Sequence, residues 1–429
     1  MESRPANAEV SMTAGGGDPA LESSNIVRAE FRHGWPVLLA AALGNGAGLA
    51  AVPLYSLSSF IPPLQAQFGW SRGAIGAAAT IITAGIFITG PLVGRLCDRY
   101  GVRRLALPSM VLLALALAAL TQLSSSVATL YVGFVFVAIA GAATTSIVFT
   151  RVINTWFDRS RGLALGITMT GSGITAFAMP LLLGAVIPNW GWKAGFLLCA
   201  AVALLPLPVA WFLLHERRTT AAREQRSAVG MPSAVALRSR HFWTMVVAAL
   251  VFSCAMGGII VHVVPLLRDI GFSAERAART ASLLGVGIVA GRLLTGALLD
   301  RLHGPWVAAS LMSTTAIGLA FLYSGAPSVA PLAVLIVGLA LGSEGDLLAY
   351  FTARYFGMRS YAEIFGWLFG FLALGTATGP LMIMALQGAA GYRNALLTFI
   401  VFCLVAAVLL GSLGRYPDWS TPVDRTSKF

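Results

Sequence analysis

Charge is scarce in this sequence. Only 11% of its 429 residues are Asp, Glu, Lys or Arg, against roughly a quarter in soluble domains. With 57% of the chain hydrophobic, that excludes a soluble globular protein and implies one that crosses a membrane many times. Cysteine is scarce too. Cys97, Cys199, Cys254 and Cys403 are scattered in or beside apolar segments with no CxxC spacing, so neither a disulfide framework nor a metal site is expected. There is no GxxxxGK phosphate loop and no Ser/His/Asp or metal-ligand cluster, so the sequence supports neither an enzyme nor a cofactor. Residues 1–33 lack the apolar core of a signal peptide; polar and Gly-rich (AGGGD), they read as a disordered tail. Acidic residues are outnumbered, and the formal net charge is +12. A nucleic-acid partner is nevertheless excluded, because the basic residues sit in loops between apolar runs rather than on one solvated face.

What is present is a series of apolar runs. A bilayer-spanning helix needs about 20 mostly apolar residues in a row, and twelve runs qualify, near 35–62, 74–96, 104–123, 129–151, 162–187, 194–215, 242–267, 278–299, 305–325, 329–352, 362–388 and 393–414. They are called spans 1 to 12. One long polar stretch, 216–241, carries Arg217, Arg218, Arg223, Arg226, Arg238 and Arg240 and reads as a basic linker. It separates a six-helix bundle at 34–215 from a second at 242–414, with a tail at 415–429. The expected fold class is therefore all-α, with twelve transmembrane helices in two six-helix bundles. Placing both termini in the cytoplasm puts 22 Lys/Arg inside and 6 outside, which the positive-inside rule favours. Arg292 belongs to neither set, because it lies within span 8.

The halves resemble each other. Pro63-Leu64 recurs as Pro265-Leu266, Gly69-Trp70-Ser71 as Gly271-Phe272-Ser273, and Gly94-x3-Asp98-Arg99 as Gly296-x3-Asp300-Arg301, all at one offset of 202 residues. A constant offset across separate motifs argues for a duplicated unit of the kind that builds two-halved transporters, with a site between the halves. Between spans 2 and 3, GPLVGRLCDRYGVRR (Gly90–Arg104) places Asp98 among Arg95, Arg99, Arg103 and Arg104. An acid there can pair with arginine or with a helix N-terminus of the other half.

This loop closely resembles the signature loop of major facilitator superfamily transporters. The stretch Trp156-Phe157-Asp158-Arg159-Ser160-Arg161-Gly162 leading into span 5, with Arg354-Tyr355-Phe356-Gly357 after span 10, is similar to monocarboxylate transporters and the related oxalate/formate antiporters. The resemblance covers about residues 35–414. It implies alternating access, function as a monomer, and a cytoplasmic gate, for which Gly94, Asp98, Arg99, Arg104, Arg161, Asp300 and Arg301 are the candidates.

Arg292 is the sharpest candidate for substrate binding. A charge inside a membrane helix costs at least about 2.5 kcal/mol and needs a cavity or a partner. It lies about 12 Å above the inner end of its helix, at 1.5 Å per residue. That is near the midplane, where an arginine fork suits a carboxylate. The resemblance implies the same anion-binding role; the alternative is a structural ion pair with an acid of another helix. His262, toward the outer end of span 7, is a candidate for substrate contact or proton relay, or simply a packed histidine. Glu344 and Asp346 in span 10 are candidates for proton coupling or for pairing with Arg292. Two residues apart on a helix, they point about 200° from each other and cannot both line one cavity. Thr145, Ser146, Tyr55 and Trp367 complete the expected substrate contacts.

The family pattern is not complete. Related transporters often have a tyrosine at the position of Ser146 and an acid or amide at that of Ile288, and an oxalate antiporter would carry a lysine in span 11. Span 11 instead holds Phe365, Trp367, Phe369 and Phe371, which suggests a single carboxylate on a larger or ring-bearing body. The leading expectation is a transporter of a monocarboxylate-type organic anion with a proton, in a bacterial inner membrane. An exporter, or a carrier of a neutral nutrient such as a vitamin with Arg292 purely structural, stays open.

Overall fold

The computed structural model describes residues 19–216, 229–386 and 392–417. Residues 1–18 of the expected tail, the linker arginines between 217 and 228 and the end of the C-terminal tail lie outside them. Its described elements are all helices, joined by short turns, apart from an isolated bridge between Gly230 and Gly357. Among the described residues nine helices are long and apolar enough to cross a membrane. The remaining passes follow from three departures from regularity.

Spans 1 and 4, expected as continuous helices, are broken. Span 1 consists of Pro19–Gly46 and Val52–Phe68, and span 4 of Val127–Ala140 and Ser146–Trp156 joined by a 3₁₀ turn at Ala142–Thr144. The breaks lie against each other, where the Leu49 amide donates to the Thr144 hydroxyl at 3.0 Å. Gly48 lets the two backbones touch, because a side chain there would overlap the Thr144 carbonyl. Spans 5 and 6 are one helical stretch, Arg161–Leu204, turned at Gly191 (φ 77°) and extended by Leu207–Leu213. Spans 7 to 12 are Arg240–Asp269, Ala274–Leu299, Gly304–Ser324, Ala330–Phe356, Tyr361–Leu386 and Arg393–Gly411. Spans 2 and 3 are Arg72–Tyr100 and Val102–Ala119.

The repeated tripeptide has a local explanation. Gly69 and Gly271 take positive φ (71° and 99°) to turn the chain, and Ser71 and Ser273 cap spans 2 and 8 by accepting the amides of Ala74 and Arg276. Trp70 and Phe272 between them are buried.

The disordered tail expected over 1–33 is corrected for its second part, since residues from Pro19 onward are helical. The reason is a cap. The Glu30 carboxylate accepts the amides of Asp158, Arg159 and Ser160 at 3.0–3.1 Å and the Ser160 hydroxyl at 2.6 Å. These are donors that the start of span 5 would otherwise leave unpaired. Phe31 packs on Phe157 beside it, centroids 5.2 Å apart. The second half solves the same problem with backbone, as Met231 donates to Phe356 and Met358 to Val229.

The halves join at the end that carries both termini. Asp98 accepts the amides of Ala362 and Glu363, at 3.2 and 3.0 Å, from the start of span 11. Arg151 holds it from behind and also reaches Glu216. Arg95 pairs with Glu363 at 2.7 Å. In the mirror position Asp300 accepts the amides of Gly162 and Leu163, at 2.6 and 2.9 Å, from the start of span 5. Arg161 is buried nearby and bound to Asp158 at 2.9 Å. Of the gate candidates, Arg99, Arg104 and Arg301 do not take part. They are exposed, and among the described residues none ion-pairs with the other half. They point to solvent because Arg151, Arg95 and backbone amides already saturate the carboxylates.

Away from this end the halves part. Gly162 lies against Gly296, and a side chain at Gly166 would come within 2.5 Å of the Arg292 carbonyl. Further along spans 5 and 8, Gly173 has only Val289 at 3.9 Å, and Gly285 has nothing within 4 Å. Spans 2 and 11 behave alike, with Gly94 on Ala362 and Gly90 on Gly366, while Gly73 and Gly76 face open space. The result is a cleft that is closed on the terminus-bearing side.

Two outcomes follow. Gly94→Val places a side chain on the Ala362 backbone, so spin labels at the exposed positions Arg159 and Arg301 should move apart in electron–electron distance measurements; an unchanged distance would contradict the packing. The second concerns Asp300, just past the end of span 8. Burial pushes its carboxyl up to about 6, against the Leu163 and Gly162 amides and the charges of Arg354 and Arg161, which act the other way. Once the halves part it is solvated, with a pKa near its usual value of about 3.9. The joined state then binds the proton more tightly. Joining is favoured as pH falls from about 6 toward 4 and loses that contribution as pH rises through about 6. The same label pair should report this response in the parent and not in Asp300→Asn.

Candidate functional site

At the closed apex of the cleft stands Arg292. Its helix presents Gly285, Val289, Arg292 and Gly296 along one face, at the spacing that lines up side chains on a helix. Gly296 is locked to span 5 and Gly285 is open, so Arg292 sits where contact gives way to cleft. Its side chain is 14% exposed. One guanidinium nitrogen lies 3.7 Å from Asp346, whose side chain is fully buried. The other reaches the Ser172 hydroxyl of span 5 at 3.5 Å. Nε has no partner among the described residues, and neither Asp346 oxygen accepts a hydrogen bond there. A buried ion pair normally survives only with short, well-directed contacts and further hydrogen bonds. This one is long and underbonded, so the guanidinium keeps donors available for a planar anion.

The choice between the two acids of span 10 is resolved by register. Asp346 turns to Arg292. Glu344 turns the other way, buried, and is hydrogen-bonded to Ser253 of span 7 inside the second bundle. Gly345 between them has open space beyond its Cα. Ser343 and Thr295 bond at 2.7 Å and fix span 10 against span 8.

The other expected contacts are distributed differently. Ser146 is buried and donates to the Asn45 side chain at 2.8 Å; Thr145 is buried and donates to the Ala142 carbonyl at 3.0 Å. Ser146 thereby holds the breaks in spans 1 and 4 together and Thr145 closes the turn within span 4, because a broken helix leaves backbone and side-chain polar groups that must be paired within the membrane. Trp367 packs edge-on to Phe87 with centroids 6.4 Å apart and stacks near Phe371, at the contact of spans 2 and 11. His262 meets the Tyr392 hydroxyl at 3.2 Å, between the outer part of span 7 and the start of span 12. Tyr55 is half-buried on the outer part of span 1. The structure does not bring these residues onto Arg292.

Several participants escape sequence reasoning. Asn45 bridges to Ser146 and to the Thr168 carbonyl at 3.4 Å, tying spans 1, 4 and 5. Thr175 donates to Gly46 at 2.7 Å at the same break, one turn from Ser172. Arg151, Glu216, Glu363 and Glu30 build the joined end. The available signal was the Gly44-Asn45-Gly46 triplet, since glycines flanking a polar residue in an apolar run mark a helix interruption.

Comparison with known proteins agrees with this architecture. The family model described as Major Facilitator Superfamily matches residues 38–368. Mouse monocarboxylate transporter 11 is 28% identical over 83% of this chain and 80% of its own length. A gallate transporter of Pseudomonas putida is 26% identical over 78% of this chain and 85% of its own. Among solved structures, the human organic anion transporter MFSD10 superposes with a TM-score of 0.70 at 16% identity, covering 87% of this chain and 99% of that one. With the family match spanning most of the residues and two six-helix halves meeting around a cleft, the chain belongs to the Major Facilitator Superfamily and is an integral membrane transport protein.

Proposed function

We propose that this protein is a secondary transporter that carries a small organic monocarboxylate together with a proton by alternating access, and that Arg292 and Asp346 are where the two meet. The observation that carries the proposal is the long, underbonded pair between them at the apex of the cleft. A lone charge is costly there, so the pair stays together while the site is empty. A substrate carboxylate can replace Asp346 on the guanidinium only if Asp346 is neutralised, because two carboxylates on one arginine would leave a net buried charge. A proton does this. Arginine plus aspartate becomes arginine plus substrate carboxylate plus aspartic acid, and the local charge stays at zero. Neither substrate nor proton binds well alone, which is the requirement for symport.

The joined end and the open cleft describe one of the two states such a cycle needs. With 22 basic residues on the terminus-bearing side against 6 opposite, both termini lie in the cytoplasm and the cleft faces outward. The setting is a bacterial inner membrane, and the working unit is one chain. The monocarboxylate and gallate transporters among the relatives support an organic acid, with a ring-bearing one in the range to be tried first. Glu344, sealed inside the second bundle, serves as a packing partner of span 7. A second reading has a specific observation behind it. Arg292 already has Asp346 as counter-ion, which would suit a purely structural pair in a carrier or exporter of neutral compounds.

Uptake of labelled lactate, benzoate and gallate into proteoliposomes, with and without an inward proton gradient, decides between them. Arg292→Ala should lower carboxylate uptake about 10- to 100-fold, the loss expected for one charge-assisted interaction of about 1.5–3 kcal/mol. Parental rates in that variant would leave the structural reading. Asp346→Asn should still exchange substrate across the membrane but no longer accumulate it in response to the gradient. Gradient-driven accumulation undiminished in Asp346→Asn would remove Asp346 from the coupling.

A further inference from the structure

A cavity of about 1040 Å³ lies away from the cleft, on the terminus-bearing side of the first half, between the start of span 3 and the end of span 6. Its lining includes Arg99, Arg103, Arg104, Trp156, Trp211 and Glu216. Among the described residues none of the three arginines forms an ion pair; Arg103 rests on the Trp211 ring and Arg99 on Tyr100, each 5.3 Å from the ring centroid. The single acid of the lining, Glu216, is already committed to Arg151 and to the Val102 amide, both at 3.4 Å. Span 3 also begins here, after Gly101, which offers no side-chain cap, and Glu216 accepts the first of its amides, that of Val102. Three guanidiniums that form no ion pair among the described residues, beside the positive end of a helix, make a site for an anion with several acceptor oxygens.

We propose that this cavity binds the phosphate headgroup of an anionic phospholipid. The surroundings select a lipid over a free phosphate. Pro108, part of the cavity wall, starts a row with Leu112 and Leu115 that runs up the exposed face of span 3, and Trp211 and Phe212 expose their rings on span 6. An acyl chain lies along that row while the headgroup stays among the arginines. Aromatic rings at this level are the side chains that favour the headgroup region, and basic pockets between helices on the cytoplasmic side suit acidic lipids. The gate expected of Arg99 and Arg104 is not what the structure builds; headgroup capture gives these exposed arginines a task.

The test is native mass spectrometry of the full-length protein, titrated with phosphatidylglycerol or phosphatidylcholine of matched chains. The expected result is one phosphatidylglycerol bound at least 10-fold more tightly than phosphatidylcholine, with the preference lost in the double variant Arg103→Gln/Arg104→Gln. Should that variant fail to fold, Trp211→Ala, which removes a wall and no charge, is expected to weaken phosphatidylglycerol binding several-fold. Equal retention of the two lipids by the parent, or an undiminished preference in whichever variants fold, overturns the proposal. So does release of the bound lipid by millimolar inorganic phosphate, which would assign the cavity to a soluble anion.

Discussion

A carboxylate at the end of one helix accepting the amide hydrogens at the start of another is the interaction on which the arrangement of the halves depends. Asp98 does this for span 11 and Asp300 for span 5. The first amides of any helix have no partner within it and carry its positive pole. A carboxylate from the opposite half answers both needs. Because the acceptor and the donors belong to different halves, the contact exists only while those halves touch. Glycines at 94, 162 and 296 bring the backbones close enough for it, in a setting where close packing rather than hydrophobic burial drives helices together.

The two latches are built alike but not charged alike. Asp98 is backed by Arg151, and through it by Glu216, in a continuous polar network. Asp300 has its two amides, with Arg161 and Arg354 further off, and burial outweighs them. The repeat therefore has a symmetric geometry but an unequal set of charges around its two carboxylates. The same division runs through the cleft. The first half contributes broken helices, with Asn45, Thr144 and Ser146 pairing what the breaks expose. The second contributes unbroken helices and the charges at its apex.

Much of this was readable from residue order. The 202-residue offset marked Ser71 and Ser273, and both cap their helices. An arginine inside an apolar run has to be placed against something, so Arg292 announced itself, and its height above Asp300 followed from helical rise. Glu344 and Asp346 show the limit. Their spacing said that only one could face Arg292, but not which, because that depends on how span 10 is rotated against its neighbours. Ser146, Thr145 and Trp367 were expected as substrate contacts; the helix breaks commit the hydroxyls of Ser146 and Thr145 to Asn45 and Ala142, and Trp367 packs on Phe87 where spans 2 and 11 meet.

By itself the sequence determined the class of molecule. Long apolar runs with few charges leave only membrane helices, and the internal repeat divides them into two halves. Those are properties of composition and periodicity, which act along the chain. The tertiary structure decided which polar groups meet. Asp346 rather than Glu344 holds Arg292, Glu30 caps span 5 from a segment with the composition of a tail, and Arg151 rather than the neighbouring loop arginines supports Asp98. Pairings of this kind join residues tens to hundreds of positions apart. They are chosen by the rotation of each helix and by the need to satisfy every buried charge and amide, and neither is a property of any single stretch of sequence.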